Sequence, residues 1–494
     1  VKRPNFVFIK DALLQHGEGD NKTIKTSMLF NSLHFLFFFP ITCIIYYLLP
    51  TVRMRNFFLL AASYYFYMNW NASYALLLLT STFITYVAAI RIEKVPSTKQ
   101  KKAYLIASLV TNLSILFFFK YYNFAISTIN EILFPLNNGH FLPPMHLLLP
   151  VGISFYIFQA LGYSIDVYRG HTKSERDFLT YALFVSFFPQ LVAGPIERST
   201  HLLPQFKEKH KFSHNLAMEG IRLMVWGFFL KLVLADRCSL YVDSIYNNLE
   251  EHNGGSYLLA AILFTFQIYG DFSGYSLIAI GAARVMGFHL MDNFRRPYLA
   301  TSVTEFWHRW HISLSTWFKD YVYIPLGGNR VSQWKNYLNI MVTFTISGIW
   351  HGANWTFIAW GALHGLLQCA EKKIGWAKRE WKGTPRVCHM MLTFSMVCLT
   401  WIIFRANSLK EAVSVIQGII THPGAPYVQM ADFIAIGIAL FIVACREVAE
   451  EWHTGIRVSD SQSWVVRHLY ITTMIAYIIL FGVLNGDQFI YFQF

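Results

Sequence analysis

The residues best suited to chemistry are histidines set in apolar surroundings. His351 and His364 lie in SGIWHGANWTFIAWGALHG, residues 347–365, with Asn354 between them. His308 and His311 lie in VTEFWHRWHISLSTWFKDYVYIPLGG, which starts at residue 303. A polar group hidden without a partner costs about 1–3 kcal/mol, so each of these needs a compensating role. Histidine suits proton transfer near neutral pH. As a general base it would serve acyl transfer from a thioester to an alcohol. Neither a GxSxG elbow nor a Cys–His pairing accompanies it. The simplest chemistry is therefore direct attack by the acceptor hydroxyl, without an acyl-enzyme.

Two other readings stand beside that one. His308, His311 and His351 could supply three nitrogens to a metal. Carboxylate or thiolate companions at good spacing are missing, however, so the expectation is no metal site. Each histidine could also be a satisfied packing residue. His308 and His311 are three apart and would share roughly one helix face. His364 lies thirteen residues past His351 and would point to a different side of a continuous helix.

The elements that must position these residues are membrane helices. Of 494 residues, 54% are hydrophobic and 14% charged, against about 25% charged in soluble domains. The 44 Phe, 27 Tyr and 14 Trp suit packed, lipid-facing and headgroup-level positions. Hydropathy places spans near 33–50, 54–70, 73–91, 103–120, 146–165, 177–193, 215–235 and 256–287. Others fall near 336–350, 353–371, 388–404, 430–446 and 467–485. The fold class is all-α polytopic, with about 11–13 membrane segments and re-entrant or interfacial helices. The stretch that starts at residue 303, with its mixed aromatic and basic residues from Phe306 to Lys319, reads as one of the latter. Residues 1–27 read as a polar extension ahead of a Met28 start, and 28–494 as one membrane domain.

The net charge of +13 reads as the basic excess of cytoplasmic loops rather than a nucleic-acid surface. Six scattered cysteines, with no CxxC, predict no disulfide framework. Asp166, Lys231, Asp271, Glu305 and Asp320 are costly in lipid and should face the interior or reach the interface. Gly- and Pro-interrupted stretches such as LPVGISFY (149–156) and FFPQLVAGPIER (187–198) point to an interior cavity. YIPLGGNR (323–330) reads as an interfacial turn. A transporter using the histidines as a proton relay is a further reading, but no repeat symmetry is visible.

WHGANWTFIAWGALHG (350–365) and FWHRWHISLSTWFKDYVYIPLGGNR (306–330) closely resemble the membrane-bound O-acyltransferase family, in its bacterial alginate O-acetyltransferase-like branch. LPVGISFYIFQALGYSIDVYRG (149–170), SFFPQLVAGPIER (186–198) and QIYGDFSGYSLIAIG (267–281) extend the likeness over nearly everything from Met28 onward. The resemblance implies a ring-like helix bundle around a central funnel or tunnel. It implies that His351 is the general base, with His311 assisting. Asn354, Trp350, His308, Asp271 and His364 would line the tunnel or back the site. No cofactor is bound, and acetyl-CoA is the expected acyl donor. The implied partners are the lipid bilayer, a periplasmic or surface-exposed SGNH/esterase-like acetyltransferase and a polysaccharide acceptor, with no nucleic acid. The implied setting is the bacterial inner membrane, and the implied activity is O-acetylation of an extracytoplasmic polysaccharide. D-alanyl transfer to teichoic acid from a carrier protein is the alternative. One departure is local: Gly270 and Leu277 stand where this branch is expected to carry Cys and Asp.

Overall fold

A computed structural model describes residues 28–137, 143–145, 147–192, 194–454, 461, 463–484 and 489–490. The expected extension at 1–27 lies outside the described residues. Among them the secondary structure is helical throughout, with no strand. Four helical stretches are long and apolar enough to cross a bilayer: Ala72–Lys94, Thr98–Leu133, Gly383–Arg405 and Trp464–Phe481. Leu33–Leu48 is apolar but shorter. The protein is an all-helical membrane protein. Several other expected spans are helices that carry inward polar groups or are cut short. Gly254–Val285 is one of these: it carries Asp271 and is buried along most of its length. Leu409–Thr421, which hydropathy did not mark, is a short helix capped by Ser408.

Close helix contacts organise the centre. His214–Phe228 crosses Gly254–Val285 at two pairs of glycines. A Cβ on Gly220 would lie 2.5 Å from the Gly281 carbonyl oxygen, and one on Gly227 would lie 2.7 Å from that of Gly274. The reciprocal contacts are equally close, so the two backbones touch where side chains would separate them. Gln333–His351 and Trp355–Ile374 pack in the same way, with a Cβ on Gly348 meeting the Phe357 carbonyl at 2.3 Å. Gly270, the departure from the branch pattern, fits under the Leu230 carbonyl, and Leu277 is half-buried against the core.

Several inward charges are paired. Lys231 Nζ lies 2.6 Å from Asp236 and 2.7 Å from Asp271, all three buried. Tyr321 donates to Asp166 at 2.8 Å, and Arg198 to Asp320 at 2.8 Å. Arg309 bridges Glu305 and Glu451, and Arg386 joins it on Glu451. Three helices widen into π-helical turns, at Phe117–Tyr121, Phe229–Ala235 and Lys319–Tyr323. Each contains one lysine: Lys120, Lys231 and Lys319. Such turns add a residue to a helix and occur often at functional sites. The YIPLGGNR stretch is a turn with Gly327 and Gly328 at positive φ. Its Gly328 carbonyl accepts from Asn336 and Asn339.

Candidate functional site

His351 is the last residue of Gln333–His351, and the chain leaves that helix through an extended Gly352. Its ring is buried against Trp350, Trp360 and Phe404, at centroid distances of 5.1, 5.0 and 5.7 Å. The helix is amphipathic in the sense that matters here. Thr343, Ser347 and His351 share its buried side at intervals of four.

His311 reaches the same place from a different element. The expected shared face with His308 is not formed. The helix Val303–Arg309 ends before it, Trp310 is extended, and His311 takes a left-handed conformation with φ 43° before Ile312–Phe318 begins. A non-glycine residue there stores about 1–3 kcal/mol of strain, sustained only where surroundings fix it. Here the loop 293–295 fixes it. The Ile312 amide donates to the Asn293 carbonyl at 2.9 Å, and the Arg295 amide to the Arg309 carbonyl at 2.9 Å. The break turns His311 inward, fully buried against Phe155, Phe272 and Trp350. His308 stays exposed and lines a separate cavity of about 490 Å3 with Trp307, Lys319, Phe344 and Lys372.

The two buried histidines therefore share one indole as a neighbour. Trp350 lies 5.9 Å from the His311 ring and 5.1 Å from the His351 ring, centroid to centroid. A small cavity of about 30 Å3 adjoins His351, lined also by Lys120, Gly152, Phe155, Val192 and Trp350. The LPVGISFY break shapes this wall: Gly152, at φ 71°, starts the Ile153–Arg169 helix against the Leu191 carbonyl.

The tautomer of His311 follows from its partner. His311 Nδ1 lies 3.0 Å from Asn293 Oδ1. That oxygen also accepts from the Ser313 hydroxyl at 2.9 Å, while Asn293 Nδ2 donates to Ser276 at 3.1 Å. The Ser313 amide, which can only donate, also points at that oxygen at 3.3 Å and sets the amide orientation, so Nδ1 carries the proton. Nε2 is left as a lone pair, with no hydrogen-bond partner among the described residues. Asn293 was not among the residues singled out from sequence.

The remaining sequence-marked residues are structural in their contacts. His364 accepts from Trp307 Nε1 at 3.2 Å and meets the Thr400 hydroxyl at 3.0 Å through Nε2. Thr400 donates onward to the Val397 carbonyl, so both nitrogens of His364 are used. Asn354 caps Trp355–Ile374 by accepting from the Thr356 amide, and its Nδ2 donates to the Asn407 carbonyl. Asp271 binds Lys231 and the Ile490 amide. Among the described residues no three His, Cys, Asp or Glu side chains gather as a metal site would require, and His308 stands apart from the other two histidines.

A second missed residue is Lys120. It is a single cation in the apolar run FFFKYY, a signal of the same kind that marked the histidines. Its Nζ donates to the carbonyls of Trp350 and His351 at 2.8 and 3.0 Å.

Residues 63–409 match the sequence model of the membrane-bound O-acyltransferase family. The chain is 42% identical over 390 residues to the probable alginate O-acetylase AlgI of Pseudomonas aeruginosa, covering 78% of this chain and 73% of that protein. It is 36% identical over 425 residues to a peptidoglycan O-acetyltransferase of Helicobacter pylori, covering 80% of each. A teichoic acid D-alanyltransferase of Bacillus subtilis is 27% identical over 277 residues, 53% of this chain and 70% of that protein.

Proposed function

This chain belongs to the membrane-bound O-acyltransferase family and is an O-acyltransferase, and from that premise we propose that it O-acetylates an extracytoplasmic polysaccharide from the bacterial inner membrane. Acetyl comes from a cytosolic thioester, acetyl-CoA. A separate periplasmic or surface-exposed esterase-like protein completes delivery to the glycan. Residues 28–494 act as one acyltransferase domain arranged around a funnel.

His351 is the general base and His311 assists. The acceptor oxygen attacks the thioester carbonyl, its proton passes to the imidazole, and the thiolate leaves and takes that proton. His311, with Nε2 as an acceptor, orients the incoming hydroxyl. The observation that carries this reading is the pair of buried histidines that both pack on Trp350, with a cavity of about 30 Å3 beside His351. That space holds about two water molecules. The acetyl-transferring relatives match more of this chain, at higher identity, than the D-alanyl-transferring one does.

The test is the O-acetyl content of surface polysaccharide in cells carrying wild-type protein or His351→Ala at matched membrane levels. Loss of the base should slow transfer by about 10²–10⁴-fold. Unchanged acetylation would remove His351 from the chemistry. A wild-type protein that loads D-alanine and never acetyl would replace the substrate assignment.

A further inference from the structure

We propose that Lys120 and Tyr121 form a backbone clamp that positions His351 for acyl transfer; this rests on His351 being the general base. An α-helix leaves its last carbonyls without intrahelical partners. Gln333–His351 ends abruptly at an extended Gly352, so the carbonyls at its end need donors from elsewhere. They find them on one neighbouring turn. The Tyr121 hydroxyl donates to the Ile349 carbonyl at 2.8 Å. Lys120 Nζ donates to those of Trp350 and His351 at 2.8 and 3.0 Å. Three consecutive carbonyls, ending at the histidine itself, are thus held by two consecutive residues more than 200 positions earlier in the chain.

The local backbone makes this possible. Lys120 and Tyr121 sit in the π-helical turn Phe117–Tyr121. Consecutive residues on a regular α-helix diverge by about 100°. A wider turn changes that angle and the height of each side chain. Lys120 Nζ also lies 5.8 Å from the Trp350 ring and lines the small cavity beside His351. The clamp thereby holds both the indole that the two histidines share and the backbone from which the base projects. A shift of His351 by about 1 Å can cost around 10²-fold in rate without touching substrate binding.

Lys120 is a positioning residue, so its test must separate position from folding. Full-length protein is assayed in its own membranes with radiolabelled acetyl-CoA, following label into polysaccharide. Wild type, His351→Ala, Lys120→Met, Lys120→Arg and Tyr121→Phe are compared. Lys120→Met should lower kcat at least tenfold, with KM for acetyl-CoA within about twofold and the thermal midpoint retained. Lys120→Arg, which keeps the donors, should recover most of the loss. Tyr121→Phe should lower kcat less, in the same KM-neutral way. A Lys120→Met kcat within tenfold of wild type overturns the proposal. So does a loss that tracks a raised KM or a lowered midpoint, or one that arginine does not relieve. Should Lys120→Met fail to accumulate, Tyr121→Phe decides: unchanged kcat overturns the clamp. Activity persisting in His351→Ala, or absence of label from wild type, would instead strike the underlying reading.

Discussion

His311 Nδ1 lies 3.0 Å from Asn293 Oδ1, and this single contact decides which face of the imidazole can accept a proton. Asn293 carries no charge, and its side chain bonds His311, Ser313 and Ser276. Its effect is to fix a tautomer. Asn293→Leu should lower turnover by about 10–100-fold, the range seen when a metal-bound histidine loses the partner that fixes its tautomer. Asn293→Asp keeps an acceptor at Nδ1–H and should lose less. The acetylation rate of both variants at matched membrane levels checks the order.

His364 should prove structural. Both its nitrogens are engaged, by Trp307 and Thr400. His364→Leu leaves the buried Trp307 N–H without its acceptor, which costs about 1–3 kcal/mol. The expected result is a lower thermal midpoint in detergent, with turnover per folded molecule near wild type. A folded, stable and inactive variant would return His364 to the chemistry.

The Lys231 triad predicts an asymmetry. Lys231→Met strands Asp236 and Asp271 together and should destabilise by about 3–5 kcal/mol. Removing all three charges at once, with Asp236→Asn and Asp271→Asn added, should recover much of that loss. Chemical or thermal denaturation of the purified variants measures it.

At the glycine crossing, Gly274→Ala puts a Cβ 2.7 Å from the Gly227 carbonyl oxygen. The helices must separate, at a cost of about 1–3 kcal/mol. Gly170→Ala makes a useful contrast, since a Cβ there meets nothing within 4 Å and only its positive φ opposes the change. The crossing variant should accumulate less in membranes than the loop variant.

One pH effect lies outside the spans. The Glu197 carboxylate, 2.7 Å from His201 Nδ1, raises the affinity of that imidazole for its proton above the ordinary value. Because the folded pKa is the higher one, the stabilisation is fully present below about pH 6.5 and fades as pH rises through the folded value. The midpoint difference between wild type and His201→Gln should therefore be larger at about pH 6 than at about pH 9. The ring is half-exposed, so solvent screening keeps the effect modest.

His351 stood out as a polar ring inside an apolar run, whereas His311 was marked through the likeness of its motif to the acyltransferase family. Leu409–Thr421 was legible in principle, through Ser408 and Glu411 at capping spacing, but its length fell below a membrane span. Other features had no local signal. The inward turn of His311 depends on backbone bonds to 293–295, and a positive φ at histidine leaves no mark in composition. Asn293 sits in a polar loop, where an asparagine attracts no notice. Lys120 did stand out against its neighbours, yet its partners are main-chain carbonyls, which have no sequence identity to match. The number of spanning helices was harder still. Long apolar helices and buried helices with paired charge look alike when only hydropathy is read.

The three lysine-bearing π-helical turns have a consequence for how this chain tolerates change in length. Each is a helix with one residue more than its register needs. Deleting a single residue from Phe117–Phe119 would give a more regular helix by every local measure. It would also close the wide turn from which Lys120 and Tyr121 project, carrying that pair off the end of the histidine helix. The irregularity is therefore a spacer. The helix that looks least ideal at that point is the one whose count of residues is most strictly held, and in-frame loss of one codon there should be harder to survive than most substitutions.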